Sequence, residues 1–171
     1  MKKIGFIILI VLVIIGVFNF MQEIASRADY INNDFLVFWL AGHANWADID
    51  PYSSADWLAA RAEFGAETMP EPEFLYPLPL SILLAPLGLF SIHQAFIVWG
   101  TLSVALTIFS IIIILHVGKE HPHAKYIALP IVLLTVLFPP LLLTLNLGQF
   151  SAFLLFFATL AAYFWDKGKN F

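Results

Sequence analysis

The sequence has no cysteine and few charges. Only 12% of its 171 residues are charged, whereas 61% are hydrophobic; a soluble domain usually carries about 25% charged residues. The missing cysteines exclude disulfides and cysteine-ligated metals, and they leave the redox compartment undefined. Because so few charges cannot cover a soluble domain of this size, the composition predicts an all-α integral membrane protein.

Several common ligand motifs are missing as well. The chain has neither a Walker-type phosphate loop nor a G-x-G-x-x-G turn, and no basic patch. Soluble nucleotides and nucleic acids are therefore not expected as partners. His121 and His123 share one short loop, which is a poor metal site, and the acids show no calcium-loop spacing. We predict neither a metal nor a cofactor.

Uncharged runs define the predicted membrane spans. Residues 4–20 follow two lysines and lack an A-x-A cleavage site, which favours a retained anchor over a cleaved signal peptide. Two longer regions, 74–118 and 126–165, contain no Asp, Glu, Lys or Arg. The predicted spans are four: 4–20, 95–117, 126–144 and 149–165.

The positions of the lysines orient these spans. Three lysine pairs lie outside the acidic segment between Glu23 and Glu73, which holds ten of the twelve acids. With four spans, every pair falls on the cytoplasmic side and residues 21–90 form an outer loop, as the positive-inside rule requires. The N-terminus is then cytoplasmic, and 77–90 is a re-entrant or interfacial segment. A fifth span through 77–90 is the alternative, and it would move four lysines outside.

The outer loop contains signals for two interfacial helices. Asn33 or Asp34 can cap a helix over 35–46, whose rings Phe35, Phe38, Trp39 and Trp46 suit the lipid headgroup region, and Asp50-Pro51 ends it. Ser53-x-x-Asp56 fits a capping box for a second helix near Trp57 to Phe64, which Gly65 would end. Residues 69–73, MPEPE, should be extended.

Asp34 is the most informative acid in this loop. It stands directly before an apolar aromatic run, close to the predicted outer membrane face. A carboxylate there can accept a proton from a bound hydroxyl. The simpler interpretation is that Asp34 only caps the helix, and local sequence alone favours that interpretation.

An ordered set of short motifs resembles a known family. The motifs are Asp34-Phe35 with Trp39 and Ala41, Asp50-Pro51-Tyr52, FLYPLPL at 74–80, Ala85-Pro86-Leu87, Trp99, Pro139-Pro140 and Leu147-Gly148-Gln149. None is specific alone, but together they resemble the N-terminal part of glycosyltransferase family 87. These are GT-C-type membrane enzymes that include the polyprenyl-phosphate-mannose-dependent mannosyltransferases.

The resemblance implies a reaction and a catalytic residue. Such enzymes transfer a sugar, with inversion, from a polyprenyl phosphate to an acceptor hydroxyl at the outer membrane face. An acid in the first outer loop serves as general base, and Asp34 occupies that place. The expected localisation is the plasma membrane, with membrane lipid and the polyprenyl-phosphate sugar as partners.

Other residues are candidates for substrate binding. Asn146 and Gln149 lie in the predicted outer turn between the last two spans, where amides can bind sugar hydroxyls or a phosphate. The alternative is a turn that satisfies its own backbone. Tyr52, Tyr76 and Trp39 can stack on a sugar or form an aromatic belt. Arg27 and Arg61 can reach a phosphate or pair with acids nearby. His43 is a further candidate near Asp34.

The length of the chain leaves two hypotheses open. Enzymes of this family are considerably longer, so we expect this chain to be the N-terminal catalytic module of a longer enzyme, or to pair with a second chain that supplies the missing helices. The alternative is a small non-catalytic membrane subunit or scaffold. Asp34→Asn separates the two, because Asn keeps the cap and loses the base.

Overall fold

The structure is a computed structural model that describes residues 15–26, 29, 33–64, 74–118, 130 and 139–168. Throughout these ranges the regular structure is helical, with no strand, which confirms the all-α prediction for this part of the chain. The chain divides into two compact units, Met1–Trp99 and Gly100–Phe171.

Short helices build the first unit. They are α1 (15–26), α2 (Phe35–Ala47), α3 (Ser54–Glu63), α4 (Leu78–Leu84) and a 3-10 helix (Ala85–Leu89). The long helix α5 (Ile92–Gly118) starts in the first unit and continues into the second. The second unit also contains α6 (Pro139–Leu147) and α7 (Ser151–Asp166).

Helix α2 confirms the predicted helix over 35–46 and shows which residue caps it. The Asn33 side chain accepts a hydrogen bond from the Phe35 N–H at 2.9 Å. Asp34 has helical backbone angles, and its side chain makes no capping hydrogen bond. The helix ends at Ala47, before the predicted Asp50-Pro51 break, because Asp48 adopts a left-handed conformation with φ of 56°.

The aromatic rings of α2 correct one expectation. Phe35, Phe38 and Trp39 are buried within the first unit, so they contact protein rather than lipid headgroups. Trp46 is 58% exposed and is the only one of the four predicted interfacial rings that lies at the surface. The reason is that α2 is apolar on all sides, which is typical of a helix buried within a protein.

Helix α2 packs directly against α4 and the 3-10 helix. Gly42 and Gly88 allow this approach, because a Cβ atom at Gly42 would overlap the Leu84 carbonyl oxygen and lie 3.0 Å from the Leu84 carbonyl carbon. A Cβ atom at Gly88 would lie 2.6 Å from the Gly42 carbonyl oxygen. Small residues at a helix crossing let two backbones meet in this way.

Side chains of α2 bind the backbone carbonyls across this crossing. Asn45 Nδ2 donates to the Ser81 carbonyl at 3.0 Å, Trp46 Nε1 donates to the Ala85 carbonyl at 2.6 Å, and Trp39 Nε1 donates to the Phe90 carbonyl at 3.0 Å. Carbonyls near the end of a short helix lack intrahelical donors. The α2 side chains therefore provide hydrogen-bond donors for backbone carbonyls that would otherwise be unpaired in an apolar medium.

Helix α3 begins as predicted. Its N-cap is Ser53, whose hydroxyl accepts from the Asp56 N–H at 3.4 Å. The N–H of Ser53 donates to the Asp50 carbonyl at 3.1 Å instead of to the Asp56 side chain, so one half of the predicted capping box forms. The helix ends at Glu63, and Gly65 and 69–73 lie outside the described residues.

A capping box that the sequence analysis missed starts α5. The Ser91 hydroxyl accepts from the Gln94 N–H at 3.3 Å, and the Gln94 side chain accepts from the Ser91 N–H at 3.2 Å. This is the reciprocal S-x-x-Q arrangement. The signal is visible in the sequence directly before the predicted span 95–117.

The predicted spans agree with the structure to different extents. Residues 92–117 form the one helix among the described residues that is long and apolar enough to cross a membrane, which matches the span predicted at 95–117. Helix α7 matches the predicted fourth span in position, but its 16 residues are fewer than the ~20 that a perpendicular crossing needs. Most of spans 4–20 and 126–144 lies outside the described residues, so the four-span topology stays a prediction.

The segment 77–90 also has a defined shape. Helix α4 and the 3-10 helix together form an apolar run, Leu78–Leu89, that is shorter than the length a span requires. Its exposed side chains are large and apolar: Leu78, Ile82, Leu83 and Leu89. The run is shorter than the ~20 residues of a typical span, and whether it crosses the membrane or lies at its surface stays a prediction.

In the second unit, α5 places hydroxyl groups along one buried face. Ser103, Thr107 and Ser110 are buried, and Thr107 and Ser110 donate to the carbonyls four residues before them at 2.9 and 2.8 Å. Thr101 Oγ1 is also buried, but it has no hydrogen-bond partner in the described part of the chain.

Candidate functional site

Asp34 lies where the chain enters α2. It is exposed, and the carboxylate does not cap the helix. Phe38 is one helical turn further along, so the two side chains lie on the same face of α2. A carboxylate at the surface that is not used as the helix cap is suited to accept a proton from a ligand. The simpler interpretation, in which this side chain only caps, does not describe this geometry.

Aromatic rings surround the N-terminal turn of α2. The Phe38 ring lies 5.2 Å from the Tyr76 ring and 5.8 Å from the Trp99 ring, measured between centroids. Phe35 packs edge-on against Phe96 at 5.2 Å. These separations are in the range of favourable aromatic pairs. Helix α2 is therefore fixed by rings close to the position of Asp34.

Tyr52 and Tyr76 come together at the surface of the first unit. The Tyr52 hydroxyl donates to the Tyr76 carbonyl at 2.6 Å. Both rings pack on the buried Phe74, at 5.8 Å for Tyr52 and 5.6 Å for Tyr76, yet they remain 47% and 38% exposed. The structure thus brings together two predicted sugar-binding residues that are distant in sequence and leaves both rings partly exposed.

Arg61 is buried rather than accessible. Its side chain is 2% exposed, and that of Trp57, one turn earlier on α3, is 1% exposed. The Trp57 ring lies 5.8 Å from the Phe74 ring and is tilted by 49° to it, and the Trp57 indole N–H has no hydrogen-bond partner in the described ranges. Burial lowers the pKa of the Arg61 guanidinium below its usual range, because a charge is poorly solvated there. Direct contact between Arg61 and a ligand is not available at this exposure.

Trp39 and His43 form a separate cluster. Trp39 is buried, its ring stacks on His43 at 5.4 Å, and it meets the Phe64 ring edge-on at 4.8 Å. His43 Nδ1 lies 3.4 Å from the Gly88 carbonyl oxygen. Both side chains are thus engaged between α2, the end of α3 and the 3-10 helix. Trp39 therefore serves packing at this exposure, not stacking on a sugar.

Asn146 and Gln149 belong to the second unit. Gly148, with φ of 64°, ends α6, and the backbone N–H groups of Gly148 and Gln149 donate to the carbonyls of Leu145 and Thr144 at 3.3 and 3.0 Å. The backbone of this turn is therefore satisfied internally. Asn146 is exposed and Gln149 is half-buried. Arg27 lies outside the described residues.

No group of three or more His, Cys, Asp or Glu side chains could hold a metal ion in the ranges that the structure describes. Within the first unit, the Asp34 side chain and the rings of Tyr52 and Tyr76 are exposed, whereas the Arg61 side chain is buried. A carboxylate is a group that can accept a proton from a bound hydroxyl.

Comparison with known proteins shows which family the chain belongs to. A family model described as glycosyltransferase family 87 matches residues 74–171, more than half of the chain. The chain belongs to glycosyltransferase family 87. Members of family 87 are membrane proteins, which agrees with the composition and with the apolar length of α5. No curated protein and no solved structure matches the chain significantly.

The family 87 match has a defined extent. It begins at Phe74 and so includes Tyr76, Asn146 and Gln149, whereas Asp34, Trp39, Tyr52 and Arg61 precede it. The family prediction is confirmed. The roles of individual residues stay predictions, and they depend on the geometry described above.

Proposed function

We propose that the chain contributes to the transfer of a hexose from a polyprenyl phosphate to an acceptor hydroxyl, with inversion at the anomeric carbon. The resemblance to family 87 suggests that this hexose is mannose. The observation that carries the proposal is Asp34. Its carboxylate is exposed at the start of α2, is not the helix cap, and stands one turn from a ring that contacts Tyr76. Membership in a glycosyltransferase family supports the reaction class.

The reaction requires one proton acceptor. The acceptor oxygen forms a bond to C1 of the sugar while the bond between C1 and the phosphate oxygen breaks, and the phosphate leaves with the bonding electrons. The proton of the acceptor hydroxyl passes to the Asp34 carboxylate, which acts as general base. A glycosyl phosphate already has a good leaving group, so this scheme includes neither a metal nor another cofactor.

Aromatic and charged groups have supporting roles in this scheme. Tyr52 and Tyr76 offer exposed rings on which a sugar can stack, and the hydrogen bond from the Tyr52 hydroxyl to the Tyr76 backbone carbonyl restrains the Tyr52 ring. Arg61 is buried, so we assign it an electrostatic influence on the phosphate rather than a contact. Asn146, Gln149 and Arg27 remain candidate ligands for sugar hydroxyls or phosphate.

The proposed membrane placement follows the charge pattern. The N-terminus is cytoplasmic, residues 21–90 lie outside the plasma membrane, and Leu78–Leu89 dips into the outer leaflet. Its exposed leucines and internally satisfied carbonyls suit hydrocarbon. Because the chain has no native cysteine, single spin labels can test this placement. A label at Leu83→Cys should collide with oxygen, whereas one at Asp56→Cys should collide with a water-soluble nickel complex.

Asp34→Asn is the test of the catalytic proposal. It is measured in native membranes containing the full chain, as transfer of tritiated mannose from polyprenyl-phosphate mannose. We expect the rate to fall about 10²–10⁴-fold, the usual contribution of general base catalysis, with folding unchanged. Asp56→Asn, which neutralises another exposed acid, is the matched control and should keep the rate. A wild-type rate for Asp34→Asn would instead support the non-catalytic subunit.

A further inference from the structure

The motif Asp50-Pro51-Tyr52 lies between α2 and α3 and forms a hydrogen-bonded turn. The Asp50 carboxylate accepts from the Tyr52 N–H at 2.9 Å, and the Asp50 carbonyl accepts from the Ser53 N–H at 3.1 Å. An aspartate side chain that bonds the N–H two residues later forms an Asx-turn. The ring of Pro51 fixes a further backbone angle. The position of the Tyr52 backbone is therefore set within the motif.

The Tyr52 hydroxyl connects this turn to a segment 24 residues further along the chain, because it donates to the Tyr76 carbonyl at 2.6 Å. That carbonyl lies outside α4. Pro77 is the N-cap of α4, and the Pro77 carbonyl is the one that accepts from the Leu80 N–H, at 2.9 Å. A carbonyl before the N-cap takes no part in the helix ladder. Tyr52 thus provides a donor that α4 does not.

Tyr76 is restrained through its side chain as well. Its ring packs against those of Phe38 and Phe74, whose centroids lie 5.2 and 5.6 Å away, and it is still 38% exposed. A residue before proline is also confined to extended backbone angles. Of these restraints, the hydrogen bond from Tyr52 is the one that a substitution can remove without removing a ring.

We propose that Asp50 and Tyr52 are positioning residues that hold Tyr76 in the place where the donor sugar stacks on it. Asp50 fixes the backbone at Tyr52, and the Tyr52 hydroxyl fixes the Tyr76 carbonyl. The inference rests on the proposed function, because it assumes that the sugar contacts Tyr76. A side chain that is ordered before binding loses less conformational entropy when the sugar arrives. The expected effect is therefore on donor affinity.

Tyr52→Phe is the first variant, since it removes the hydroxyl and keeps the ring. Transfer of tritiated mannose is measured in native membranes containing the full chain, over a range of polyprenyl-phosphate mannose concentrations. We expect the KM for this donor to rise about 2–10-fold, the effect of one side chain that must be ordered on binding, and kcat to stay within about twofold. Tyr163→Phe, which removes a hydroxyl from α7 in the second unit, is the matched control and should keep the wild-type KM.

Two variants of Asp50 test the other positioning residue. Alanine has no side-chain acceptor for the Tyr52 N–H, so Asp50→Ala should raise the same KM about as much as Tyr52→Phe does. Asparagine forms the same turn, so Asp50→Asn should keep the wild-type KM and kcat. A role in folding alone would lower the amount of active protein, and with it the apparent kcat, while the KM stayed the same.

The outcomes separate this inference from the proposed function. If Tyr52→Phe keeps the wild-type KM, or if Tyr163→Phe raises it equally, the inference is wrong and the proposed function stands. If Asp50→Asn is as impaired as Asp50→Ala, the Asp50 carboxylate acts through its charge, and its positioning role is refuted. If Tyr76→Ala keeps the wild-type KM, the sugar does not contact Tyr76, and that part of the proposed function fails together with the inference.

Discussion

Gly42 is the position where one added carbon should have the largest structural effect. In a helix, Gly→Ala normally stabilises by about 1 kcal/mol, because alanine loses less backbone freedom on folding. At Gly42, however, the new Cβ would overlap the Leu84 carbonyl oxygen and lie 3.2 Å from the Gly88 nitrogen. Both neighbours are backbone atoms, so neither can move aside by changing a rotamer.

The cost follows from the displacement that the overlap requires. A normal carbon–oxygen contact is about 3.3–3.6 Å, so α2 must move away from α4 by about 1 Å. The hydrogen bonds from Asn45 to Ser81 and from Trp46 to Ala85 are 3.0 and 2.6 Å long, and this shift would stretch both beyond useful length. Two lost bonds cost about 1–3 kcal/mol, and lost packing adds to this.

We therefore expect Gly42→Ala to lower the free energy of unfolding by about 2 kcal/mol after the helix-propensity gain is included. For a chain of this length, that corresponds to a fall of about 4–8 °C in the thermal midpoint. The assay is thermal unfolding of the purified chain in a mild detergent, followed by near-ultraviolet circular dichroism, which reports on the packing of the aromatic rings around α2.

Gly16→Ala is the matched control. Gly16 is also helical, but a Cβ there would meet no atom within 4 Å. This variant should be neutral or should stabilise by up to about 1 kcal/mol. If Gly42→Ala were as stable as Gly16→Ala, the close approach of α2 to α4 and the 3-10 helix would be refuted.

Two further predictions use the same unfolding assay. Asp48→Gly should raise the free energy of unfolding by about 0.5–1 kcal/mol, since Asp48 holds a left-handed conformation that glycine adopts without strain; an unchanged midpoint would contradict this. Thr101→Val should stabilise by about 1 kcal/mol, because it replaces a buried hydroxyl that has no hydrogen-bond partner in the described ranges. Thr107→Val should not raise the free energy of unfolding, because the Thr107 hydroxyl already donates to the Ser103 carbonyl. Equal stabilisation by Thr101→Val and Thr107→Val would disprove the reasoning.

The sequence by itself determined the class of this protein. Low charge and long uncharged runs predict a membrane protein, because a soluble domain usually carries about 25% charged residues. Membership in family 87 agrees with this prediction. Local signals also placed the starts of α2 and α3, since a cap depends on atoms only a few residues apart. The S-x-x-Q box before α5 is equally visible in the sequence, although it was not among the predicted caps.

Only the tertiary structure decided how the site is arranged. Sequence left open whether Asn33 or Asp34 caps α2, because both side chains have the required oxygen; the structure assigns the cap to Asn33. It also buries Phe35 and Phe38, which an interfacial helix would have left in contact with lipid. Ring burial depends on what packs against α2, and that is set by residues around 76 and 96–99, far along the chain.

Dependence on distant residues also explains why the sequence did not predict two contacts, the one between Gly42 and Gly88 and the one between Tyr52 and Tyr76. Each joins residues separated by more than 20 positions. A periodic pattern reports which face of an element is apolar, but it does not report which distant backbone meets that face. The composition therefore predicted the membrane class, and the cap signals predicted where helices start. Long-range packing decided which of the candidate residues stay accessible to a substrate.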